Sequence, residues 1–287
     1  MTAATHPTIA VLGTGLIGAP VARNLSKKGF TVRAWNRTTA KAQALAADGV
    51  QAFDTPIEAV RGADIIVTVL NDGSSVLDAV KAAAPALSKG AVWLQLSTVG
   101  IEAIATLAEF AAQHGLVFYD APVQGTRQPA EQGQLIVLSS GPLDGRATAQ
   151  PVFDAIGKRT LWVSEQAGAS SRLKLALNSW AFALTHGIAE SLLVAKGLGV
   201  DPSLVVDVVT GGPMDSGFFQ LKAAAILAGN YGASFSIANA VKDSRLLVDA
   251  AARAGVQVDA ARAGLRRFER ALEAGHGDKD MAASYLA

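Results

Sequence analysis

Two groups of residues in this chain have types and spacings suited to chemistry. The first is Gly13-x-Gly15-x-x-Gly18, directly after the apolar run Ile9 to Leu12. The second is Lys174 and Asn178, in an apolar stretch that opens at Gly168. In the first, Gly13 permits a tight turn out of a strand and Gly15 leaves room for a pyrophosphate against the backbone. Gly18 lets a helix pack close to the strand. Gly13, Thr14, Gly15, Leu16, Ile17 and Gly18 are therefore the expected phosphate site of a dinucleotide, facing the amides and positive dipole end of the helix. In the second group, residues four apart share a helix face. Among Leu173, Leu175, Ala176 and Leu177, a lysine ammonium loses hydration, which suits it to giving or taking a proton. The amide of Asn178 can hold a substrate hydroxyl or orient the ammonium. The same pair also reads as a snorkelling lysine beside a surface asparagine.

The dinucleotide's type is read at the end of the second strand, Thr31 to Trp35, where an NAD site usually carries a ribose-binding carboxylate. This chain has Asn36-Arg37-Thr38 there. A guanidinium pairs with a 2′-phosphate through a planar fork, and a hydroxyl adds a donor. NADP(H) is favoured over NAD(H), with Asn36, Arg37 and Thr38 as contacts.

These residues need a scaffold, and 287 residues suffice for one large or two medium domains. The formal net charge of +1, without blocks of like charge, argues against nucleic acid or an acidic membrane as partner. With no cysteine, thiolate catalysis, disulfides and Cys-based metal sites are excluded. His6, His114 and His276 are isolated, so no metal is expected. The opening MTAATHPT is not a signal peptide, and the apolar stretch 173–199 is too polar for a membrane span, so a cytoplasmic protein is the expectation.

Strand signals recur at Asp64–Leu70, Ala91–Leu96, Leu116–Asp120, Leu135–Ser139 and Arg159–Val163, mostly with helical stretches between them. Such alternation predicts a parallel sheet covered by helices on both faces, a Rossmann-type α/β domain over 1–163. Ligands then lie beyond the carboxyl ends of the strands, in loops 70–74, 97–100 and 121–128. Leu70 and Asn71 are the expected cofactor contacts in the first loop. After Val163 the strand signals cease, and helical stretches at about 168–197, 202–210, 216–228, 234–254 and 257–275 predict an all-α domain over 164–287. That domain is expected to serve substrate binding and a homodimer or tetramer interface.

Several motifs occur together in one order. They are GLIGAPVARNLSKKGFTVRAWNRT, Leu96-Ser97-Thr98, Asp120-Ala121-Pro122-Val123 with Ala130-x-x-Gly133-x-Leu135, the Gly168…Lys174…Asn178 stretch, and Lys242-Asp243. In this the chain resembles the β-hydroxyacid dehydrogenase family, which includes 3-hydroxyisobutyrate dehydrogenase, tartronate semialdehyde reductase and glyoxylate/succinic semialdehyde reductases. The likeness runs along essentially the whole chain. It implies that Lys174 is the general acid/base and that Asn178 positions substrate. It also implies that Ser97 and Thr98 lie on the nicotinamide side of the cofactor, and that Lys242 lies near cofactor and substrate. Val123, Gln124, Gly125 and Thr126 then occupy the substrate loop. The implied reaction is NADPH-dependent reduction of a small aldehyde or keto acid, of the semialdehyde or glyoxylate type.

The departures are informative. The family's Asp-Ala-Pro-Val-Ser-Gly-Gly becomes Asp120-Ala-Pro-Val123-Gln124-Gly125-Thr126-Arg127, so an amide replaces a small hydroxyl in the turn that binds the substrate carboxylate. Arg127 is either a new carboxylate clamp or a solvated charge. Gln95 stands where an acidic residue is common. His186 reads as a hydrogen-bonded core histidine. Trp180, Phe182, Phe218 and Phe219 read as core, or as a pocket wall with Met214 and Asp215 beside it, and Tyr231 and Phe235 as packing. The rival readings are an imine reductase, against which Lys174 counts, and a non-catalytic NADP-binding module.

Overall fold

The computed structural model describes residues 7–287. His6, and the leader expectation for the residues before Pro7, lie outside the described residues. The chain divides into two compact units, one up to Lys174 and one from Leu175 to Ala287.

The first unit runs β1 (Thr8–Leu12), α1 (Gly18–Lys27), β2 (Thr31–Trp35), α2 (Thr39–Gln43), β3 (Gln51–Phe53), α3 (Pro56–Val60), β4 (Ile65–Thr68) and α4 (Gly73–Ala83). It continues with β5 (Val92–Gln95), α5 (Ile101–Gln113), β6 (Val117–Asp120), β7 (Val123–Gln124), α6 (Arg127–Glu131), β8 (Leu135–Ser140), α7 (Arg146–Ile156) and β9 (Gly157–Ser164). The strands order as β3-β2-β1-β4-β5-β6-β8-β7, with β9 on β8. β1 is central, pairing Ile9 with Val32 on one side and with Ile65 on the other. Its side chains alternate as period two requires. Ile9 and Val11 enter one buried cluster with Val21, Leu25 and Phe153, whereas Ala10 and Leu12 enter another with Val76, Trp93 and Phe110. Chain order reverses direction across the sheet at β1 and β4, the switch point where α/β sheets open a crevice.

The sheet is parallel from β3 to β6, but β8 runs antiparallel to both β6 and β7. This corrects the fully parallel expectation. The connection from β6 to β8 is taken up by β7 and the five-residue α6 and carries no helix long enough to span the sheet as a crossover. β3 and β7 were not among the expected strands. At three and two residues they are too short to show a period.

The second unit takes most of α8 (Ala169–Gly197), then α9 (Ser203–Val209), α10 (Gly217–Leu227), α11 (Ile237–Arg253) and α12 (Asp259–Ala271). Phe182, Ile237, Val241 and Phe268 centre one buried cluster, and Ile188, Leu192, Ala223 and Ile226 another. The last turns are pinned by a buried ion pair, Lys222 Nζ to Asp280 Oδ1 at 2.6 Å. Asp280 also accepts from the Ser234 hydroxyl at 2.6 Å and the Phe235 amide at 3.2 Å. Burial raises the Asp280 pKa, but the Lys222 charge and these hydrogen bonds outweigh it and the net shift is downward. No helix among the described residues is long and apolar enough to cross a membrane.

Candidate active site

The glycine turn leaves β1 as its three glycines require. Gly13 has φ +105°, and a Cβ there would lie 2.1 Å from the Val69 carbonyl oxygen. A Cβ at Gly18 would lie 1.9 Å from the Gly13 oxygen, so only glycine lets α1 start this close to the strand. A Cβ at Gly15 meets nothing within 4 Å and would stand in the open space above the turn. No side chain caps the first turn of α1. The Thr14 hydroxyl is buried without a hydrogen-bond partner. An open cradle, uncapped helix amides and an orphaned donor all fit a pyrophosphate.

Asn36 braces this turn. Its Oδ1 accepts from the Thr14 amide at 3.0 Å, and its Nδ2 donates to the Thr38 carbonyl at 3.1 Å. Each polar atom of Asn36 makes one bond to the backbone, and Arg37 and Thr38 stand exposed beside it. The next loops are tied similarly. Ser97 Oγ accepts from the Leu70 amide at 2.8 Å. Gln95 bonds both backbone groups of Ser97, taking its N–H and donating to its C=O, each at 2.8 Å. The carboxamide of Gln95, where an acidic residue is common in the family, can do both because it carries a donor and an acceptor. Thr98, half-buried, follows this clamp, and Asn71 donates to Asp72, the N-cap of α4.

Asp120, at the end of β6, accepts from the Gly168 and Ser171 amides at 3.1 and 2.9 Å and from the Ser171 hydroxyl at 2.8 Å. It thereby satisfies the start of α8, helped by Ser140, which accepts from the Ser170 amide at 2.8 Å. Burial pushes the Asp120 carboxyl up to about 6 despite these donors. Sequence reading quoted Asp120 within a motif but gave it no task. The partner lies about fifty residues on, so no local spacing signals it.

One turn into α8, Lys174 is 7% exposed, and its Nζ donates to Gln124 Oε1 at 2.9 Å. Val123 is buried beside Gln124, and Gly125 and Thr126 lead into α6. Arg127 pairs with Glu131 at 2.7 Å as an exposed ion pair within α6, which favours the solvated-charge reading. In the second unit, Asn178 is 4% exposed and donates from Nδ2 to Asp243 Oδ2 at 3.0 Å. Lys242 Nζ lies 2.6 Å from the other oxygen of Asp243. Asp243 thus joins two expected site residues, and its own part was not foreseen.

Two aromatic expectations need correcting. Trp180 is 65% exposed, because it falls on the opposite side of α8 from Asn178. His186 is buried against Phe268, with ring centroids 4.2 Å apart, but neither nitrogen has a hydrogen-bond partner. Phe182 is core, while Phe218, Phe219, Tyr231 and Phe235 are half-buried packing. Met214 is exposed. No cluster of metal-ligating side chains occurs among the described residues.

Residues 8–164 match the family model of the NAD-binding domain of 6-phosphogluconate dehydrogenase. Residues 168–287 match that of the NAD-binding domain of NADP-dependent 3-hydroxyisobutyrate dehydrogenase. The chain is 30% identical over 279 residues to a chloroplastic glyoxylate/succinic semialdehyde reductase of Arabidopsis thaliana, covering 96% of this chain and 78% of the relative. It is similar to the 3-hydroxyisobutyrate dehydrogenase of Mycobacterium tuberculosis, solved with L-serine. There the TM-score is 0.86 at 26% identity, covering 98% of each chain. A 3-hydroxyisobutyrate dehydrogenase from Salmonella typhimurium shares the fold, with TM-score 0.89 at 24% identity over 97% of this chain and 99% of that one. The chain belongs to the β-hydroxyacid dehydrogenase family and is an NAD(P)-dependent oxidoreductase acting on CH–OH groups.

Proposed function

We propose that this protein is an NADPH-dependent reductase of a small aldehyde or keto acid, and that Lys174 is its general acid/base. The observation that carries the reading is the Lys174 side chain. It is withdrawn from water, carried on a helix whose start is clamped by Asp120 and Ser140, and placed against an uncharged acceptor, Gln124. An ammonium held this way keeps a proton aimed at one place, where it stabilises a developing alkoxide and then protonates it.

The Gly13–Gly18 turn would hold the cofactor's pyrophosphate, Arg37 and Thr38 its 2′-phosphate, and the loops at Leu70–Asn71 and Ser97–Thr98 its nicotinamide half, with Lys242 contributing a further cation. When bound, the dihydronicotinamide supplies the hydride for the new C–H bond. Asn178, one turn beyond Lys174, would accept from a substrate hydroxyl through Oδ1, while one N–H of its Nδ2 is held by Asp243. Residues 1–163 would serve the cofactor, and 164–287 substrate binding and a homodimer or tetramer interface. The named substrates and ligands of the relatives, glyoxylate, succinic semialdehyde and L-serine, support small oxygenated molecules.

The test is NADPH consumption over a panel of semialdehydes, glyoxylate, neutral aldehydes and cyclic imines. The expected result is carbonyl turnover that falls by about 10²- to 10⁴-fold in Lys174→Ala while NADPH binding persists. Turnover of imines alone, unaffected by Lys174→Ala, would refute the reading.

A further inference from the structure

Gln124 replaces the small serine expected in the substrate loop, and elementary chemistry fixes its orientation. A lysine ammonium carries donors only, so the Gln124 atom 2.9 Å from Lys174 Nζ must be the carbonyl oxygen. The two N–H donors of Nε2 lie on the other side of the amide. They are not buried, and they meet no protein acceptor among the described residues. The backbone beneath is held by pairing of Gln124 with Ile136. The chain then turns at Gly125, φ +131°, where a Cβ would press within 2.8 Å of Leu135. Arg127, the loop's cation, is spent on Glu131. What the loop offers next to the ammonium is a neutral amide donor.

We propose that Gln124 selects carbonyl compounds bearing a second oxygen on the carbon next to the carbonyl, namely 2-hydroxyaldehydes and 2-oxo acids. The assignment rests on the reading that Lys174 serves the reacting oxygen. Lys174 Nζ meets that oxygen and Gln124 Nε2 meets its neighbour, so two adjacent donors match two adjacent acceptors. Being uncharged, the amide accepts a hydroxyl or a carboxylate oxygen alike. An acid group further along the carbon chain gains nothing from it.

The discriminating pair is glycolaldehyde and propanal, nearly equal in size and both uncharged, at concentrations corrected for hydration. The expected wild-type preference for glycolaldehyde is about tenfold in kcat/KM, expressed in KM, because the extra hydrogen bond is made in ground and transition states alike. Gln124→Met keeps the length without the donors and should bring the ratio close to one. Propanal serves as the internal reference, absorbing any change in Lys174 placement. Gln124→Glu keeps an acceptor for Lys174 but sets a carboxylate against the substrate's, so glyoxylate should fall a further factor of about ten or more relative to glycolaldehyde. A wild-type ratio near one, which needs no variant to measure, overturns the assignment, as does a ratio unmoved in Gln124→Met. Inactivity of the wild type on every carbonyl would instead overturn the underlying reductase reading.

Discussion

Acidification from pH 7 to pH 5 sets two buried groups against each other, and their substitution should split the response in opposite directions. His186 is 9% exposed, and burial first, then repulsion from Arg267 and Arg270, lowers its pKa from 6.5 to about 4. The folded state therefore resists protonating it. The stability it contributes is present above pH 6.5 and is lost as the pH falls toward 4. Asp120 is fully buried, and burial raises its pKa from 3.8 to about 6 against the pull of its hydrogen bonds and Arg172. Its contribution has the opposite sign, present below pH 3.8 and lost as the pH rises through 6. Between pH 7 and pH 5, linkage gives a loss of about 2 kcal/mol from His186 and a gain of about 1 kcal/mol from Asp120. His186→Leu removes the loss without breaking a hydrogen bond, since both ring nitrogens are unpaired. The assay is urea denaturation followed by far-UV circular dichroism at both pH values. Relative to wild type, the pH 5 minus pH 7 stability difference should rise by about 2 kcal/mol in His186→Leu and fall by about 1 kcal/mol in Asp120→Asn. Groups common to all three proteins cancel in the comparison. Equal pH responses in wild type and His186→Leu would refute the claim that burial holds this imidazole neutral.

The glycine turn separates folding from binding. Gly15→Ala places its Cβ in open space, so the Tm should stay within about 2 °C while NADPH affinity, by fluorescence titration, falls at least about tenfold. Gly18→Ala drives its Cβ into the Gly13 carbonyl and should lower both; similar Tm values for the two variants would contradict the geometry. Arg37→Asp exchanges an exposed cation for a charge that repels a 2′-phosphate, and the NADPH-over-NADH preference in kcat/KM should shrink by about a hundredfold. An unchanged ratio would remove Arg37 from cofactor selection.

The elements that could be read from sequence were those with a period. Ile9–Leu12, Thr31–Trp35 and the strand cores within 64–70 and 91–96 appear nearly where expected, as do helices α8 to α12, because apolar runs and spacing along a chain record which parts are buried. β3 and β7 carry no such record. The reversal at β8 goes with β7 and the short α6 filling the connection from β6, which the side-chain pattern does not show. Trp180 was misread because aromatic character says nothing of which side of α8 it occupies. Within the candidate site, residue types pointed to Lys174, Asn178 and the glycine turn. The partners that hold them, Asp120 for the start of α8, Asp243 for Asn178 and Asn36 for the turn, lie 22 to 65 residues away along the chain, where local spacing carries no signal.

Those partners share a physical role that separates holding from reacting. Asn36 follows β2, Gln95 ends β5 and Asp120 ends β6. Beyond a strand's last ladder bond, the backbone amides of the next segment have lost their partners. Each of these side chains supplies one, Asn36 to the Thr14 amide, Gln95 to that of Ser97, and Asp120 to those of Gly168 and Ser171. The strand ends, where ligands of α/β sheets lie, are thereby made rigid with side chains that are themselves used up. A side-chain acceptor bonded to backbone in this way is fixed in orientation, with one of its lone pairs already used. Asn36, Gln95 and Asp120 thus each brace backbone amides beside the strand ends. Groups with hydrogen-bonding capacity to spare beside them include the Thr14 hydroxyl, the amides at the start of α1 and the Nε2 donors of Gln124. That division explains why Gln95 can stand in place of an acid without loss of the loop, since its carboxamide braces Ser97 through both atoms. Gln124, with a donor to spare where the family usually has serine, is on the same reasoning the departure we assign to substrate choice.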